Sequence, residues 1–415
     1  MDAAGGKGQG QAGLMQVVLL AEAIKPPLTG VGRYAWELAY GLGSEDGVTS
    51  VQFLAHGHWQ TLETLKQRLS EDGVNRKLDS WKFGSLAVFK QKLRVSLGSL
   101  QPVALAYESF QQWLGEKSLH RLYGQIGTVV HGPSFFAPPS DLPTVVTFHD
   151  LSTFLYPETQ PRSRVLRVEV MLKTAIREGF TIITDAQCTA NDLVATMGVA
   201  ANKVHAVHLG VSSSFRPHDL RESEPVLARY GLMHGAYTLS VGTAEPRKNL
   251  VRLLDAYEAL PSDIRSAFPL VLVGGKGWND GPLLQRIERG IASGWVRTLG
   301  YVPEADLPFL YGGARLFVYV SLYEGFGLPI AEAMACGTPV LTSNTSSMPE
   351  VAAGAALLVN PNDTEEIRDG LRQALQDDDW RAKATRQGRV RASELSWGKT
   401  VAETIAVYRK MLREK

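Results

Sequence analysis

The chain has 415 residues, 44% hydrophobic and 20% charged, which suits a folded protein of two domains and excludes a disordered or fibrous one. Lys and Arg number 43 against 42 Asp and Glu, so nothing in the balance marks a nucleic-acid binder, and any basic site is local. The two cysteines, Cys188 and Cys336, lie far apart and outside any metal-ligand or CxxC spacing, which makes a reducing cytoplasm the simplest compartment.

Residues 1–14 are Gly-rich without an apolar core and read as a flexible leader; Met15, just before the first strand, is an alternative start. The first strand is expected over 16–22. Gly30 to Ala35 then formally matches the G-x-G-x-x-G/A dinucleotide fingerprint, with Gly30, Gly32 and Arg33 in it. The match begins eight residues after the strand, and the second strand, 51–56, ends in Ala55-His56 with no acid for a ribose. A glycine loop at a helix N-terminus, with N–H groups facing an anion, suits the segment better; a plain turn has the same signature.

Within 81–100, Leu86, Phe89, Leu93, Leu97 and Leu100 form an apolar helical stripe accompanied by Lys82, Lys90, Lys92 and Arg94. That pattern fits a helix packed on the first domain's sheet, and also peripheral contact with an anionic membrane. Strands follow at 128–132, 144–150 and 180–185. His131 lies in the first of these, and His149 and Asp150 end the second, where a cleft histidine can meet a sugar and a structural histidine is equally at home.

The polar, aperiodic stretch 208–224 is the seam. Beyond it come strands at 237–243, 269–275, 295–302, 315–321, 339–343 and 355–359. Continuous apolar strands separated by helices predict parallel sheets covered on both faces. Two such series predict an α/β protein of two doubly wound, Rossmann-like domains, 15–212 and 213–396. Arg247 and Lys248 follow a strand and are expected to open a helix, where a guanidinium fork, a point charge and a dipole end make a diphosphate site. Glu324 and Glu332 flank a Gly325–Gly327 loop, and Pro329 suits the first turn of the helix that carries Glu332.

These residues, embedded in "LGYVPEADLPFLYGGARLFVYVSLYEGFGLPIAEAMACGTPVLTSNTSSMPEV", resemble the retaining glycosyltransferases of family four, or group 1, with the GT-B fold. The resemblance covers nearly the whole chain after the leader. It implies two Rossmann-like domains across a cleft, a nucleotide-sugar donor held by the second, a saccharide or lipid-linked acceptor at the first, and a last helix, 397–415, packed back on the first domain. Carried across, Glu324 contacts the donor sugar and Glu332 the ribose; Gly325, Phe326, Gly327 and Leu328 cover sugar and phosphates. Arg247 and Lys248 bind the leaving diphosphate. Gly30, Gly32 and Arg33 form the first domain's phosphate-side loop, His149 lies near the reacting carbon, and Tyr301 and Val302 form the base edge.

"VVHGPSFFAPP", "TFHDLSTFLYPE" and "VGTAEPRKNL" look especially like bacterial mannosyl- and rhamnosyltransferases of O-antigen and exopolysaccharide assembly. This implies a hexosyltransferase using GDP-mannose or a related GDP-6-deoxyhexose. The chain departs from the family's pattern at 184–193, where Ala190 and Asn191 replace a basic side chain on the acceptor side. No Asp-x-Asp pair ends a strand, so Arg247, Lys248 and loop amides, Gly32's among them, are expected to replace a metal, with no cofactor. The resemblance favours front-face attack, a departing phosphate oxygen taking the acceptor proton. A UDP-sugar-dependent transferase, a sugar-nucleotide epimerase of this architecture and an inactive carbohydrate-binding relic are the alternatives.

Overall fold

The computed structural model describes residues 14–26, 28–69, 110, 112–275 and 281–414. The helix expected over 81–100 and residues 1–13 of the leader expected over 1–14 lie outside the described residues.

The first half builds a seven-stranded sheet from β1 (Met15–Leu20), β2 (Val48–Ala55), β3 (His58–Gln60), β4 (Thr128–Gly132), β5 (Thr144–Phe148), β6 (Thr181–Thr184) and β7 (Val204–Ala206), in the order β3-β2-β1-β4-β5-β6-β7. β3 alone runs antiparallel, paired to β2 with Ala55 opposite His58. His56 and Gly57, at φ 51° and 79°, make the two-residue turn between them. His56 therefore sits in a hairpin turn, not at the end of β2 where the sequence pattern placed it.

The second half builds a six-stranded parallel sheet from β8 (Thr238–Val241), β9 (Leu270–Val273), β10 (Val296–Gly300), β11 (Leu316–Tyr319), β12 (Val340–Ser343) and β13 (Leu357–Val359), in the order β10-β9-β8-β11-β12-β13. β8, β9, β11 and β12 are almost wholly buried, as strands covered by helices on both faces must be. Both sheets reverse strand order once, at β1/β4 and at β8/β11. Such switch points open crevices beyond the carboxyl ends of the strands.

Seven helices matter for the site: α1 (Gly30–Gly41), α2 (Arg162–Arg177), α3 (Gln187–Met197), α4 (Leu250–Glu258), α5 (Leu328–Ala335), α6 (Asp378–Ser393) and α7 (Trp397–Arg413). The chain crosses between the sheets twice, side by side. Val211 N donates to Leu395 O at 3.1 Å, and Gly210 packs so close to Ser396 and Trp397 that a Cβ there would lie 2.1 Å from the Trp397 nitrogen. Leaving α6, the chain enters α7, which buries Val401, Ile405 and Tyr408 against the first half of the chain.

Tyr408 meets His131 Nδ1 at 2.5 Å, and His131 Nε2 lies 2.8 Å from Thr147 Oγ1, which also meets the Tyr34 hydroxyl of α1. Burial holds the His131 pKa down at about 3, so the ring is neutral. His131 thus joins α7, α1 and the sheet as part of the core.

Candidate active site

The site begins where β8 ends. Pro246–Lys248 forms a short 3-10 turn, and Asn249, left-handed at φ 59°, separates it from α4. Arg247 and Lys248 therefore sit one turn ahead of the helix instead of opening it. Pro246 fixes the start of the turn, and Asn249 tolerates the left-handed geometry. The Asn249 amide donates to Val320 O and Pro361 O at 3.1 and 2.7 Å, and Leu322 N donates to Arg247 O at 2.8 Å. The turn is thus pinned to the segment after β11.

That segment carries Glu324. Arg247 Nη1 donates to Glu324 Oε2 at 2.6 Å and to Tyr323 O at 3.2 Å, while its Nε meets Glu245 Oε2 at 3.0 Å. Lys248 Nζ donates to Glu324 Oε1 at 2.7 Å and to the Tyr319 hydroxyl, and lies 4.7 Å from the Tyr319 ring centroid. The Arg247, Lys248 and Glu324 side chains are only 11%, 13% and 8% exposed. Burial alone would raise the Glu324 pKa; Arg247 and Lys248 outweigh it and hold it at about 2. Burial pushes Lys248 down from its ordinary value, against the pull of Glu324.

The Glu324 backbone is held just as firmly. Its N–H donates to Ser346 Oγ at 3.1 Å, and its carbonyl accepts from Ser346 and Ser347 at 2.5 and 2.9 Å. Gly327, at φ 98°, turns the chain into α5, with Leu328 first and Pro329 in the opening turn. Phe326 turns its ring inward against His208, so only its backbone belongs to the loop's outer face. Glu332 lies one turn along α5, where Tyr311 donates to its Oε2 at 2.9 Å, and burial raises its pKa to about 7.

From the first domain, the His149 carbonyl packs on Gly325. Its ring donates through Nε2 to Pro133 O at 2.8 Å, since a carbonyl only accepts, and shares a proton between Nδ1 and Asp185 Oδ2, also 2.8 Å apart. Burial favours the neutral ring, but Asp185 outweighs it and the His149 pKa is raised. Neither ring nitrogen keeps a lone pair for substrate, so His149 is no general base in this arrangement.

The α1 loop differs from expectation in one respect. Gly32 N donates to Thr29 Oγ1 at 3.2 Å, the N-cap bond of α1, so it is not open to a phosphate. Gly32 is needed for space: a Cβ would lie 2.8 Å from Ala23 O. Gly30 and Val31 supply the first-turn amides without a partner in the helix. Arg33 pairs with Glu304 across the cleft and lies 3.9 Å from Glu37. Tyr301, 72% exposed, and the buried Val302 follow β10 beside Gly300, which lines a cavity of about 230 Å³ together with Gly242, Gly274, Lys248 and Tyr319.

Sequence reasoning did not single out Tyr319, Ser346, Ser347, Tyr311 or Asp185, which hold the named residues. Nor did it single out Glu350, which accepts from Gln187 N and Cys188 N at 2.8 and 3.0 Å and meets His208 Nε2 at 2.6 Å. The serines and Glu350 share the string "TSNTSSMPEV"; its polar cluster just after a strand was the available signal.

Residues 232–391 match the family described as Glycosyl transferases group 1. The chain is 38% identical to the O-antigen chain mannosyltransferase B of Escherichia coli, over 95% of this chain and 100% of that one. It is 30% identical to the serotype-specific mannosyltransferase WbdA of Escherichia coli, over 66% of this chain and 35% of that one. Its fold is that of the crystal structures of WaaG, a glycosyltransferase involved in lipopolysaccharide biosynthesis (TM-score 0.66, 14% identity, 94% of this chain and 99% of that one), and of Anabaena Alr3699/HepE in complex with UDP and glucose (TM-score 0.63, 17% identity, 95% and 100%).

Proposed function

The chain belongs to the group 1 glycosyltransferase family, and on that premise we propose that it transfers mannose from GDP-mannose, with retention, to a saccharide or lipid-linked saccharide in bacterial O-antigen synthesis. The observation that carries the reading is the Arg247–Lys248–Glu324 cluster at the switch point of the second sheet. The names of the mannosyltransferases to which the chain is similar support the sugar.

Glu324 and Glu245 together balance the charges of Arg247 and Lys248. Among the described residues, Arg247 Nη2 makes no hydrogen bond, which leaves a donor for a phosphate oxygen. Positive charge held beside the departing diphosphate stabilises the negative charge that develops there, and in a nearly dry site that counts for more than in water. A metal is not needed in this reading.

Glu324 has both oxygens held by cations and a pKa of about 2, which makes it a poor nucleophile. A double displacement through Glu324 is therefore disfavoured against front-face attack. Glu332 takes the ribose hydroxyls, and Tyr301 and Val302 the base edge. Among the described residues no helix is long and apolar enough to cross a membrane. Cytoplasmic placement and peripheral contact through 81–100 belong to this proposal. The test is acceptor-dependent nucleotide release from a panel of GDP- and UDP-sugars. GDP-mannose is the expected donor, and preference for a UDP-sugar would overturn the assignment.

A further inference from the structure

β5 runs into two polar residues, His149 and Asp150, and they are held differently. His149 is buried and commits both ring nitrogens, to Pro133 and Asp185. Asp150 is half-exposed, between the buried His149 and Leu151. Its Cα packs beside Gly325, where a Cβ built on the glycine would lie 3.0 Å from it. It also acts on Arg247: burial disfavours the guanidinium charge, and Asp150 is second only to Glu324 among the charges that favour it. Asp150 thus reaches the Arg247–Glu324 cluster from the first domain.

Only one of its two carboxylate oxygens is committed. Oδ1 accepts both the N–H and the hydroxyl of Ser152, at 3.0 and 2.7 Å, an Asx turn that opens the short helix Ser152–Leu155. The Gln160 amide donates to Ser152 Oγ at 3.1 Å, so the serine hydrogen is directed at Asp150. Ser152 and Gln160 are buried, which fixes the carboxylate from behind. Among the described residues Oδ2 has no hydrogen-bond partner. A turn of this kind needs one acceptor oxygen, which asparagine also supplies, and it does not account for a second oxygen beside the cleft.

We propose that Asp150 selects the sugar being transferred, by accepting a hydrogen bond from one of its hydroxyls at Oδ2. The inference rests on the reading of the chain as a transferase with its donor diphosphate on Arg247 and Lys248 and its sugar under the Gly325–Leu328 loop. The sugar then lies between Arg247 and Gly325, the two groups that Asp150 adjoins. A carboxylate repels the phosphates there and accepts from the hydroxyls of the sugar. The bond is charge-assisted and partly sheltered from water. A donor without that hydroxyl leaves Oδ2 unpaired and is rejected.

The test compares Asp150→Asn with wild type, by acceptor-dependent GDP release, on GDP-mannose and on a set of analogues that each lack one mannosyl hydroxyl. Asparagine keeps the Oδ1 turn and puts an N–H donor in place of Oδ2. kcat/KM for GDP-mannose is expected to fall about 10- to 100-fold, the worth of a charge-assisted hydrogen bond. Affinity for GDP alone, which also reports folding, should stay unchanged. With one analogue the wild type should show a loss of the same size and Asp150→Asn no further loss. Ser152→Ala, which releases Oδ1, should narrow that discrimination without moving GDP affinity. Wild-type kcat/KM in Asp150→Asn, or equal further losses in both proteins with every analogue, overturns the proposal and leaves Asp150 a turn residue. A matching fall in GDP affinity overturns it too. Preference for a UDP-sugar counts against the GDP-mannose reading instead, and the same comparison on that sugar's deoxy analogues still decides on Asp150. With no turnover at all, calorimetry decides: Asp150→Asn should erase the affinity that the sugar adds to the bare nucleotide, and an unchanged increment overturns the proposal.

Discussion

Gly325 and His149 meet across the cleft so closely that a Cβ on Gly325 would lie 1.5 Å from the His149 carbonyl oxygen. The contact joins the donor-side loop to the end of β5, and it forbids any side chain at 325. Gly325→Ala is expected to push the two domains apart at the site. Because a misplacement near 1 Å can cost on the order of 10²-fold, kcat/KM should fall by about that factor. GDP affinity, carried mostly by Arg247, Lys248 and Glu332 of the second domain, should fall much less than kcat/KM. Wild-type kcat/KM in Gly325→Ala would refute the closed geometry.

The Arg247–Lys248–Glu324 cluster links catalysis and stability. Arg247→Ala removes one charge stabiliser and is expected to lower kcat by about 10²–10³. Glu324→Gln leaves the nearly buried Lys248 without its carboxylate and Arg247 with Glu245 alone. Breaking a buried pair costs about 3–5 kcal/mol, and the slight exposure here places the loss at the lower end, read as a drop in the urea midpoint.

The sign of the pH effect follows. The folded Glu324 pKa is depressed from 4.5 to about 2, so its stabilisation is present above 4.5 and disappears as pH falls towards 2. Glu324→Gln should remove that part of the acid profile, and an unchanged profile would contradict the pairing.

Glu332 behaves oppositely. Burial raises its pKa to about 7, so before nucleotide binds it is largely protonated below that pH. Ribose hydroxyls need the carboxylate as acceptor, so nucleotide binding releases a proton. GDP affinity should climb through pH 7, by at most about tenfold per pH unit below it, and then level off. Glu332→Gln should weaken binding and flatten the curve. A pH-independent affinity in the wild type would remove Glu332 from the ribose site.

Glu350 caps α3 from the other domain, since Ala186 at the N-cap offers no side-chain acceptor. Glu350→Ala is expected to cost about 1 kcal/mol, the usual loss of a cap, in urea unfolding. Amides of residues 187–197 should then exchange faster with solvent. Unchanged exchange would show that water replaces the carboxylate without loss.

The two sheets were legible because buried parallel strands leave unbroken apolar runs, as in β9 and β12. β3 and β7, three residues each, are too short to leave such a run. The Gly325–Leu328 loop and Pro329 were legible because backbone geometry dictates those residue types. The partners of His149 were not, because Asp185 lies 36 residues away and periodicity carries no such information. The glycine pattern alone leaves the Gly32 amide open to a phosphate, whereas Thr29, the N-cap of α1, takes it with its hydroxyl. Arg247 and Lys248 were identified as a cationic pair, but Asn249 breaks the helix they were expected to open.

The central claim is retaining transfer of mannose from GDP-mannose. Its most direct test is the anomeric configuration, by NMR, of the first product formed from GDP-α-mannose and a lipid-diphosphate-linked oligosaccharide acceptor, in buffer containing EDTA. The account predicts an α-mannoside, formed at the same rate with and without the chelator. A β-mannoside, or no product until a divalent metal is added, would contradict it.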